Sequence, residues 1–294
     1  MDLRGLRYLV EVVRHGGFAR AAEYAHATQP TLSKAIAQLE DELGDRLLER
    51  GRGGVRLTAA GEVVHRHALA MLAESSRLRE ELDALRGLRR GELRLGLPPL
   101  GSNVLFAPLL ARFRHQHPQI EIRLLEHGSR RLEQAVLAGE LEITATLLPV
   151  GEGLAHQPVR DEPMLALLPQ AHPRAAAKRF RLEWLGDTPL VLFEEGFALN
   201  RLIREACARH GVAPREAVRS AQVDFILALV AAGGGVALLP RLVVEDRSLS
   251  GLVALPLASN DLRWKMVLAW RQGTALSPAA RAWLALVAGR PPDL

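Results

Sequence analysis

The sequence lacks the features that mark several large classes of protein. Among its 294 residues there is a single cysteine, Cys207, which excludes a disulfide framework within the chain and a zinc site built from cysteines. No run of about 18 or more apolar residues occurs, so no transmembrane helix and no membrane partner are predicted. The N-terminal stretch MDLRGLRYLVEVVRHGG interrupts its apolar residues with charges and offers no small-residue cleavage site, so no signal peptide is predicted. We therefore expect a cytoplasmic protein.

Motifs of common enzymes are also missing. There is no Gly-x-Ser-x-Gly nucleophile elbow, no phosphate loop ending in Gly-Lys-Ser/Thr and no Gly-x-Gly-x-x-Gly dinucleotide fingerprint. The glycines at 233–235 are better explained as a helix end that turns into a strand. His65 and His67 are two residues apart, as are His115 and His117, and this spacing places paired side chains on different faces of a helix. No catalytic residue, cofactor or metal site is therefore predicted.

The net charge of +5 is weak evidence for a polyanionic partner. Residues 1–90 hold 15 Lys and Arg against 13 Asp and Glu, and the rest of the positive excess lies further along the chain. An argument for nucleic acid therefore depends on where the charges lie and not on their sum.

The first 44 residues have the pattern of three short helices. Apolar residues at helical spacing predict a helix over residues 2–14, which the glycines at 16–17 end. Phe18 begins a second helix, rich in alanine, that can pack closely against its neighbours. His26-Ala27 is the turn that follows it.

A third helix is predicted after this turn. Thr28 is expected to cap it, Pro30 lies in its first turn, where a missing N–H does no harm, and Gly44 ends it. The spacing of its apolar residues predicts a buried stripe made of Leu32, Ile36, Leu39 and Leu43.

A short polar face at the start of a helix that follows a tight turn is the docking geometry of a helix-turn-helix. Gln29, Thr31 and Ser33 can hydrogen-bond base edges, and Lys34 can reach a phosphate or a guanine. The alternative is a small amphipathic helix pair whose polar face is only solvated.

Residues 45–61 favour the DNA-binding interpretation. This stretch is rich in glycine, at 51, 53 and 54, and these glycines lie among Arg50, Arg52 and Arg56. Residues 55–58 alternate between apolar and polar side chains, like a short strand. A glycine tip between two short strands, rich in arginine, is typical of a wing that lies along the phosphate backbone. The alternative is an exposed hairpin whose arginines only aid solubility. This alternative is weaker because the segment directly follows the helix pair.

Residues 59–86 predict a long helix with a narrow apolar seam. Steps of four and three residues are kept for three heptads, which is the spacing of a coiled coil. The seam consists of Val64, Ala68, Met71, Ser75, Leu78, Leu82 and Leu85. Such a helix needs a partner, most simply its copy in a second subunit, and two DNA-reading heads would then recognise a near-palindromic site. The alternative is that this helix packs on its own C-terminal domain.

From Gly91 onward, after a short basic hinge, strand-like and helix-like runs alternate, which predicts βα units. Strands are predicted at 92–97, 120–125, 142–147, 164–168, 190–193, 217–221, 236–239 and 264–270, and helices at 102–115, 129–138, 199–210, 223–232 and 278–288. Crossings near 159–163 and 263–266 would divide this part into two lobes with a cleft between them. The predicted domains are residues 1–58, the linker 59–90, and 91–294, with lobe 1 at 91–162 and 267–294 and lobe 2 at 163–266.

Ligands of open α/β sheets bind beyond the C-terminal ends of strands, over helix N-termini. The candidate effector contacts selected by this rule are Gly101, Ser102, Asn103, Ser129, Phe197, Asn200 and Gln222. Ser102 is favoured because its hydroxyl heads a predicted helix, although it could equally be a plain N-cap. Thr144 and Thr146 place hydroxyls on a predicted strand, and their roles are left open.

The sequence resembles the LysR-type transcriptional regulators over essentially its whole length. The matching elements in the N-terminal part are Phe18, Ala21-Ala22, Gln29-Pro30, Ser33, Leu39-Glu40, Leu43-Gly44, Arg50 and Leu57-Thr58 with Gly61. Those in the C-terminal part are Gly91–Leu93 with Gly96, Phe113 with His117-Pro118, Gly139–Glu142 and the stretch VAAGGGVALLP at 230–240.

The resemblance implies a multidomain α/β protein with a winged helix-turn-helix, a long linker helix and a two-lobed effector domain of the periplasmic-binding-protein type. It implies regulation of bacterial transcription by binding double-stranded DNA. It also implies tetramers assembled as dimers of dimers, in which each dimer forms through the linker-helix seam with Val64, Met71, Leu78, Leu82 and Leu85. It implies DNA contacts from Arg20, Thr28, Gln29, Pro30, Thr31, Ser33, Lys34, Arg50, Arg52 and Arg56.

The resemblance also implies a small inducer in the cleft, whose binding changes the arrangement of subunits and so DNA bending and contact with RNA polymerase. A small organic anion is one expectation, because ligands of the family are frequently carboxylates, although no arginine stands out at the predicted cleft positions. A transport-type solute-binding protein would fit residues 91–294 but not the N-terminal head. A purely architectural DNA binder would leave the cleft half without a use.

Overall fold

The computed structural model describes residues 2–51, 54–85, 91–245 and 247–289. The prediction for Arg52, and those for the side chains of Arg50 and Leu85, lie outside this description. The chain forms two compact units, Met1–Leu88 with Ala138–Glu140, and Arg89–Leu137 with Leu141–Leu294. No helix of the described part is both long and apolar enough to cross a membrane.

The N-terminal unit begins with the three predicted helices, α1 (Leu3–Arg14), α2 (Phe18–Tyr24) and α3 (Gln29–Leu43). The predicted caps of α3 are confirmed: the Thr28 hydroxyl accepts from the Thr31 N–H, and Gly44 ends the helix at a φ of +76°. Leu32, Ile36 and Leu39 are buried as expected, but Leu43 is 39% exposed because α1 and α2 cover only the preceding turns.

The wing follows as two short antiparallel strands, β1 (Leu48–Gly51) and β2 (Gly54–Leu57). The helix α4 (Ala59–Leu85) follows directly after Thr58. The Thr58 hydroxyl accepts from the Gly61 N–H at 2.9 Å and donates to the Arg46 carbonyl at 2.6 Å. Gly61 lies so close to the wing that a Cβ there would be 2.0 Å from the Leu47 carbonyl oxygen. The first turn of α4 is therefore fixed directly against the base of the wing.

The apolar seam of α4 divides into a buried and an exposed part. Ala68 is fully buried in the core of the N-terminal unit, and Val64 packs against the same core, because the first turns of α4 lie on the helix bundle. Val64 is therefore half-buried within its own chain, and its dimer role stays a prediction. Met71, Leu78 and Leu82 are 41, 59 and 44% exposed, so the uncovered seam begins at Met71.

The second unit is built on one mixed sheet. Its order is β4-β3-β5-β11-β6-β9-β7-β8, with β10 paired to β6. The strands are β3 (Gly91–Leu97), β4 (Ile120–Glu126), β5 (Ile143–Leu147), β6 (Leu154–Pro169), β7 (Leu190–Leu192), β8 (Glu216–Arg219), β9 (Val236–Pro240), β10 (Leu252–Pro256) and β11 (Arg263–Arg271). The helices are α5 (Pro99–Leu105), α6 (Ala107–Gln116), α7 (Ser129–Leu137), α8 (Ala198–Arg209), α9 (Val223–Ala231), α10 (Arg241–Val244) and α11 (Pro278–Ala288).

Two long strands join the two lobes of this sheet. β11 pairs antiparallel with β5 of the first lobe and with β6, and β6 continues into the second lobe, where it pairs with β9 and β10. Residues 159–163, where the sequence predicts a chain crossing, lie within β6, at the point where its pairing with β11 gives way to pairing with β9. The helix α11 returns to the first lobe, where the Glu142 carboxylate accepts from the Ser277 N–H and hydroxyl.

The first lobe departs from the sequence prediction at residues 102–115. Two helices, α5 and α6, replace the single predicted one, and they meet at Phe106. Pro108 supplies the reason, because it has no N–H for the Val104 carbonyl and so interrupts a continuous helix. The strand β10, the helix α10 and a 3-10 helix at Leu182–Gly186 have no counterpart in the prediction.

Candidate functional site

The first candidate surface is the start of α3. Gln29, Pro30, Thr31 and Lys34 are all exposed on it, and Ser33 is half-buried. Lys34 makes no hydrogen bond or ion pair with any described residue, so its ammonium is available to a partner. This helical turn therefore presents donors, acceptors and a cation on one convex face, which suits base edges and phosphates in a major groove.

Two of the predicted DNA contacts have a mainly local role. The hydroxyls of Thr28 and Thr31 lie 2.8 Å apart, and Thr28 also caps α3. Because both hydroxyls already satisfy one another, their first contribution is to fix the start of the helix.

The predicted backbone contacts Arg20 and Arg56 are exposed on α2 and β2. They lie on the elements that precede α3 and form the wing. Both are cations that can approach phosphate groups without carrying base information.

Sequence reasoning missed the residue that holds the wing to α3. Glu40 Oε1 accepts from the N–H groups of Leu47 and Leu48, at 2.7 and 3.2 Å. One carboxylate thus fixes the start of β1 against the recognition helix. A glutamate in a helix that is followed by a glycine turn and a strand could have suggested this cap-like role.

The second candidate site is a cavity of about 550 Å3 between the two lobes of the second unit. It lies where α7 and α8 begin. Its lining residues are Ser129, Arg130, Glu133, Pro149, Val150, Gly151, Glu195, Gly196, Phe197, Ala198, Asn200, Arg201 and Arg204. The volume is typical of sites for small organic molecules.

The lobes touch one another beside this cavity. The Arg130 N–H donates to the Gly196 carbonyl at 3.2 Å, and Arg201 Nη2 donates to the Pro149 carbonyl at 3.1 Å. A Cβ on Gly128 would lie 2.9 Å from the Gly196 carbonyl oxygen, so this approach requires a residue without a side chain. The two lobes therefore contact one another beside the cavity through their backbones and one arginine.

Three of the five charged residues that line the cavity are paired with residues outside its lining. Arg204 bonds Glu216 at 2.7 Å, and Arg219 bonds both Glu216 and Glu195 at 2.6 Å. Hydrogen bonds from Arg219 and then Arg204 lower the pKa of the Glu216 carboxyl. This network makes the second-lobe wall of the cavity rigid and leaves it little net charge.

The hydroxyls on β5 turn out to have separate roles. Thr146 is fully buried and donates to Glu133 Oε1 at 2.5 Å, so it orients a carboxylate that lines the cavity. The Thr144 hydroxyl lies 3.2 Å from the carbonyl oxygens of Gly96 and Ala145 and satisfies backbone only.

Three of the seven predicted effector residues, Ser129, Phe197 and Asn200, line the cavity. Asn200 does so with its side chain engaged, because its amide bonds the N–H and carbonyl of Phe193 and the carbonyl of Glu194. Its side chain therefore supports the loop before α8.

The other four, Gly101, Ser102, Asn103 and Gln222, are not among the residues that line this cavity. The buried Trp264 ring covers Gly101, where a Cβ would lie 2.8 Å from Cη2, and the Ser102 hydroxyl donates to the Pro98 carbonyl. The backbone is non-helical at Leu100 and Gly101, so the regular turns of α5 begin only at Ser102. Asn103 and Gln222 are exposed.

Sequence reasoning missed the charged residues Arg130, Glu133, Arg201 and Arg204. They lie in the first two turns of α7 and α8, one or four residues beyond the selected Ser129 and Asn200. The signal available was the charge of SRRLE at 129–133, directly after a predicted helix start.

Cys207 is fully buried on α8, and burial raises the pKa of its thiol to about 11. The thiol is therefore protonated near neutral pH and is a weak nucleophile. Within the described residues, no group of three or more His, Cys, Asp or Glu side chains could hold a metal ion.

Comparison with known proteins places this geometry among bacterial regulators. Residues 3–62 match the family described as bacterial regulatory helix-turn-helix protein, lysR family, and residues 86–291 match the LysR substrate binding domain. The uncharacterised regulator YwbI of Bacillus subtilis is 33% identical over 97% of this chain and 95% of its own. The dual regulator OxyR of Escherichia coli is 32% identical over 94% of this chain and 91% of its own.

Solved structures give the same likeness over the full length. A full-length OxyR variant from Pseudomonas aeruginosa is 30% identical, with a TM-score of 0.78 over 98% of this chain and 94% of that one. CbnR complexed with its target DNA is 24% identical, with a TM-score of 0.65 over 98% and 99% of the two chains, and shows the shared fold.

Proposed function

The chain belongs to the LysR family of bacterial transcriptional regulators, and we propose that a small molecule bound in the cavity between its lobes controls how it acts on DNA. It is a DNA-binding regulator with an effector-binding domain. The observation that carries the proposal is the cavity of about 550 Å3 that closes where the lobes meet at Gly128 and Gly196. A ligand there contacts both lobes and so can favour one arrangement of them.

In this proposal the head, residues 1–58, reads DNA through the start of α3. Gln29, Thr31 and Ser33 contact base edges, and Lys34 contacts a phosphate or a guanine. Arg20 and the wing arginines hold the phosphate backbone. Residues 59–90 are the linker, and 91–294 are the effector domain.

Pairing of two chains follows from the exposed seam of α4. Met71, Leu78 and Leu82 form an apolar row with spacings of seven and four residues, and water covers it in a single chain. A second copy of α4 would bury this row and bring two heads to a near-palindromic site. Tetramers of two such dimers, and contact with RNA polymerase, complete the proposal.

The proposed effector binds reversibly and without covalent chemistry. Some relatives are named hydrogen peroxide-inducible genes activators. The present chain has one cysteine, which cannot form a disulfide within the chain, and this thiol is buried with a raised pKa. Both facts argue for ligand binding over thiol oxidation.

Filling the cavity tests the proposal. Ala198→Trp places an indole at the start of α8, inside the cavity, while Ala208→Trp places one on the exposed side of the same helix as a matched control. We expect Ala198→Trp to hold expression of the regulated promoters at one level across growth conditions, with DNA affinity in vitro retained. Genome-wide transcript measurement provides the readout, and normal regulation by a folded Ala198→Trp variant would contradict an effector in this cavity.

A further inference from the structure

We propose that the effector is a small zwitterion of the amino-acid type, with its carboxylate near Arg130 and the start of α8 and its ammonium on Glu133. This inference rests on the proposed function, since it names the ligand class of the same cavity. It goes further because it requires two opposite charges on one molecule.

The groups left without a partner in the cavity are few. Arg204 and Glu195 are engaged in the ion pairs with Glu216 and Arg219, and Arg201 is held by Glu205 and the Pro149 carbonyl. By contrast, the guanidinium of Arg130 bonds no described residue. The Ser129 hydroxyl likewise has no bond to the described part of the chain, although the residue is only 4% exposed.

These two groups lie beside a helix start that favours negative charge. α8 has no side-chain cap and no acidic residue in its first turn, and Ala198, its first residue, lines the cavity. Orphan N–H groups and the helix dipole attract an anion at such a terminus. Arg130 and Ser129 supply donors from the opposite lobe, so a carboxylate would be held from both sides.

The opposite requirement comes from Glu133. Its Oε1 accepts from Thr146, but no described donor reaches Oε2. A Cβ on Gly151 would lie 3.2 Å from Oε2, so the missing side chain of Gly151 keeps this oxygen accessible. A half-buried carboxylate with one oxygen satisfied favours a ligand that brings a cationic donor.

A ligand with only one charge fits this arrangement poorly. A simple carboxylate would satisfy Arg130 and leave Glu133 nearby as a repelling charge, and a dicarboxylate would increase that repulsion. A simple amine would leave Arg130 and the start of α8 without an anion. An ammonium beside a carboxylate meets both requirements, and Pro149, Val150 and Phe197 offer apolar surface to a side chain.

The test uses the full-length protein and defined probes. Each of the standard L-amino acids is screened by thermal shift. For any that stabilises the protein, the affinity is measured by calorimetry beside two analogues, one without the amine and one without the carboxylate. We expect at least one amino acid to bind and both of its analogues to bind about 10- to 100-fold more weakly, since each charged hydrogen bond contributes about one to two powers of ten.

Variants assign the two charges. Arg130→Met and Glu133→Gln should each weaken binding of the amino acid by about 10- to 100-fold. Arg112→Met and Glu126→Gln remove the same charges from exposed positions of the first lobe outside the cavity and should bind normally. Glu133→Gln keeps an acceptor for Thr146, so the fold is preserved.

The outcomes separate this inference from the proposed function. If no amino acid binds, or if the deaminated analogue binds as tightly as the amino acid, the zwitterion is wrong. Unchanged binding by Glu133→Gln overturns it as well. None of these outcomes decides whether the cavity binds an effector. That question is tested by the transcript response of Ala198→Trp, which does not depend on the identity of the ligand.

Discussion

The polar face at the start of α3, which we propose reads DNA, and the cavity between the lobes use polar groups in opposite ways. On α3 the functional groups stand on a convex surface, and Lys34 is bound to nothing else in the described chain. In the cavity most charges are paired, and only Arg130, Ser129 and one oxygen of Glu133 remain available. A surface that binds a polyanion can leave its polar side chains in contact with water. In a concave site, the polar side chains that do not bind the ligand must find hydrogen-bond partners within the protein.

The largest expected effect comes from a change at Gly61, which should affect the N-terminal unit and leave the cavity unchanged. A Cβ at this position would lie 2.0 Å from the Leu47 carbonyl oxygen, so Gly61→Ala must shift the wing or the start of α4. We expect a loss of about 3 kcal/mol in stability of the N-terminal unit, loss of DNA binding, and an unchanged second unit. Calorimetric unfolding and DNA-binding assays provide the measurement.

Gly17→Ala is the matched control for Gly61→Ala. Its backbone is extended, and no atom lies within 4 Å of an added Cβ. Equal stability losses for both variants would mean that close packing at Gly61 is not the cause.

The exposed seam of α4 gives the next effect. Met71→Glu with Leu78→Glu places charges on the apolar row and should leave the protein monomeric at micromolar concentration, with much weaker binding to a two-half-site DNA. The cavity lies within one chain and should keep its ligand affinity. Sedimentation velocity gives the subunit state. Val63→Glu, at a 46% exposed position of α4 outside the seam, should remain dimeric, and a dimeric double variant would show that another surface pairs the chains.

A smaller effect is expected for Lys34. Lys34→Ala should weaken DNA binding and reduce the slope of log K against log salt by about 0.9, since one phosphate contact is lost. Fluorescence anisotropy at several salt concentrations measures this slope. Lys178→Ala removes an exposed charge from the second unit and should leave the slope as it is. A slope that does not move in Lys34→Ala would place Lys34 away from phosphate.

The smallest effect concerns pH and only the second unit. His210, at the end of α8, bonds Glu183 at 3.1 Å and Asp261 at 2.9 Å, and these hydrogen bonds raise the pKa of its imidazole. The stabilisation is therefore fully present below the ordinary histidine pKa and is lost as pH rises through the raised value. The melting temperature of the wild type should exceed that of His210→Gln at pH 5.5 to 6 by more than at pH 8.5. A difference that does not depend on pH would contradict this.

Signals from neighbouring residues were enough to predict the helix α3. Thr28, Pro30 and Gly44 act on their own turns, so the start, first turn and end of α3 follow from nearby residues alone. The strands of the second unit were also found in large part, because their apolar runs are continuous. The break at Phe106 was missed although Pro108 was visible in the sequence.

The cavity could not be predicted in the same way. Glu133 on α7 is oriented by Thr146 on β5, and the lobes approach one another at Gly128 and Gly196, which are far apart in sequence. Trp264 covers Gly101 from β11, although the two residues are more than a hundred positions apart in the sequence. Such contacts depend on the folded arrangement, and periodicity carries no information about them.

The single buried cysteine makes the protein convenient for spectroscopy. Because the Cys207 thiol is enclosed and its pKa is raised to about 11, maleimide reagents should ignore it in the native state. A variant such as Lys178→Cys would then supply the one reactive thiol of the folded chain. Two such introduced cysteines, one on each lobe, could carry dyes or spin labels that report the distance between the lobes without any need to replace Cys207.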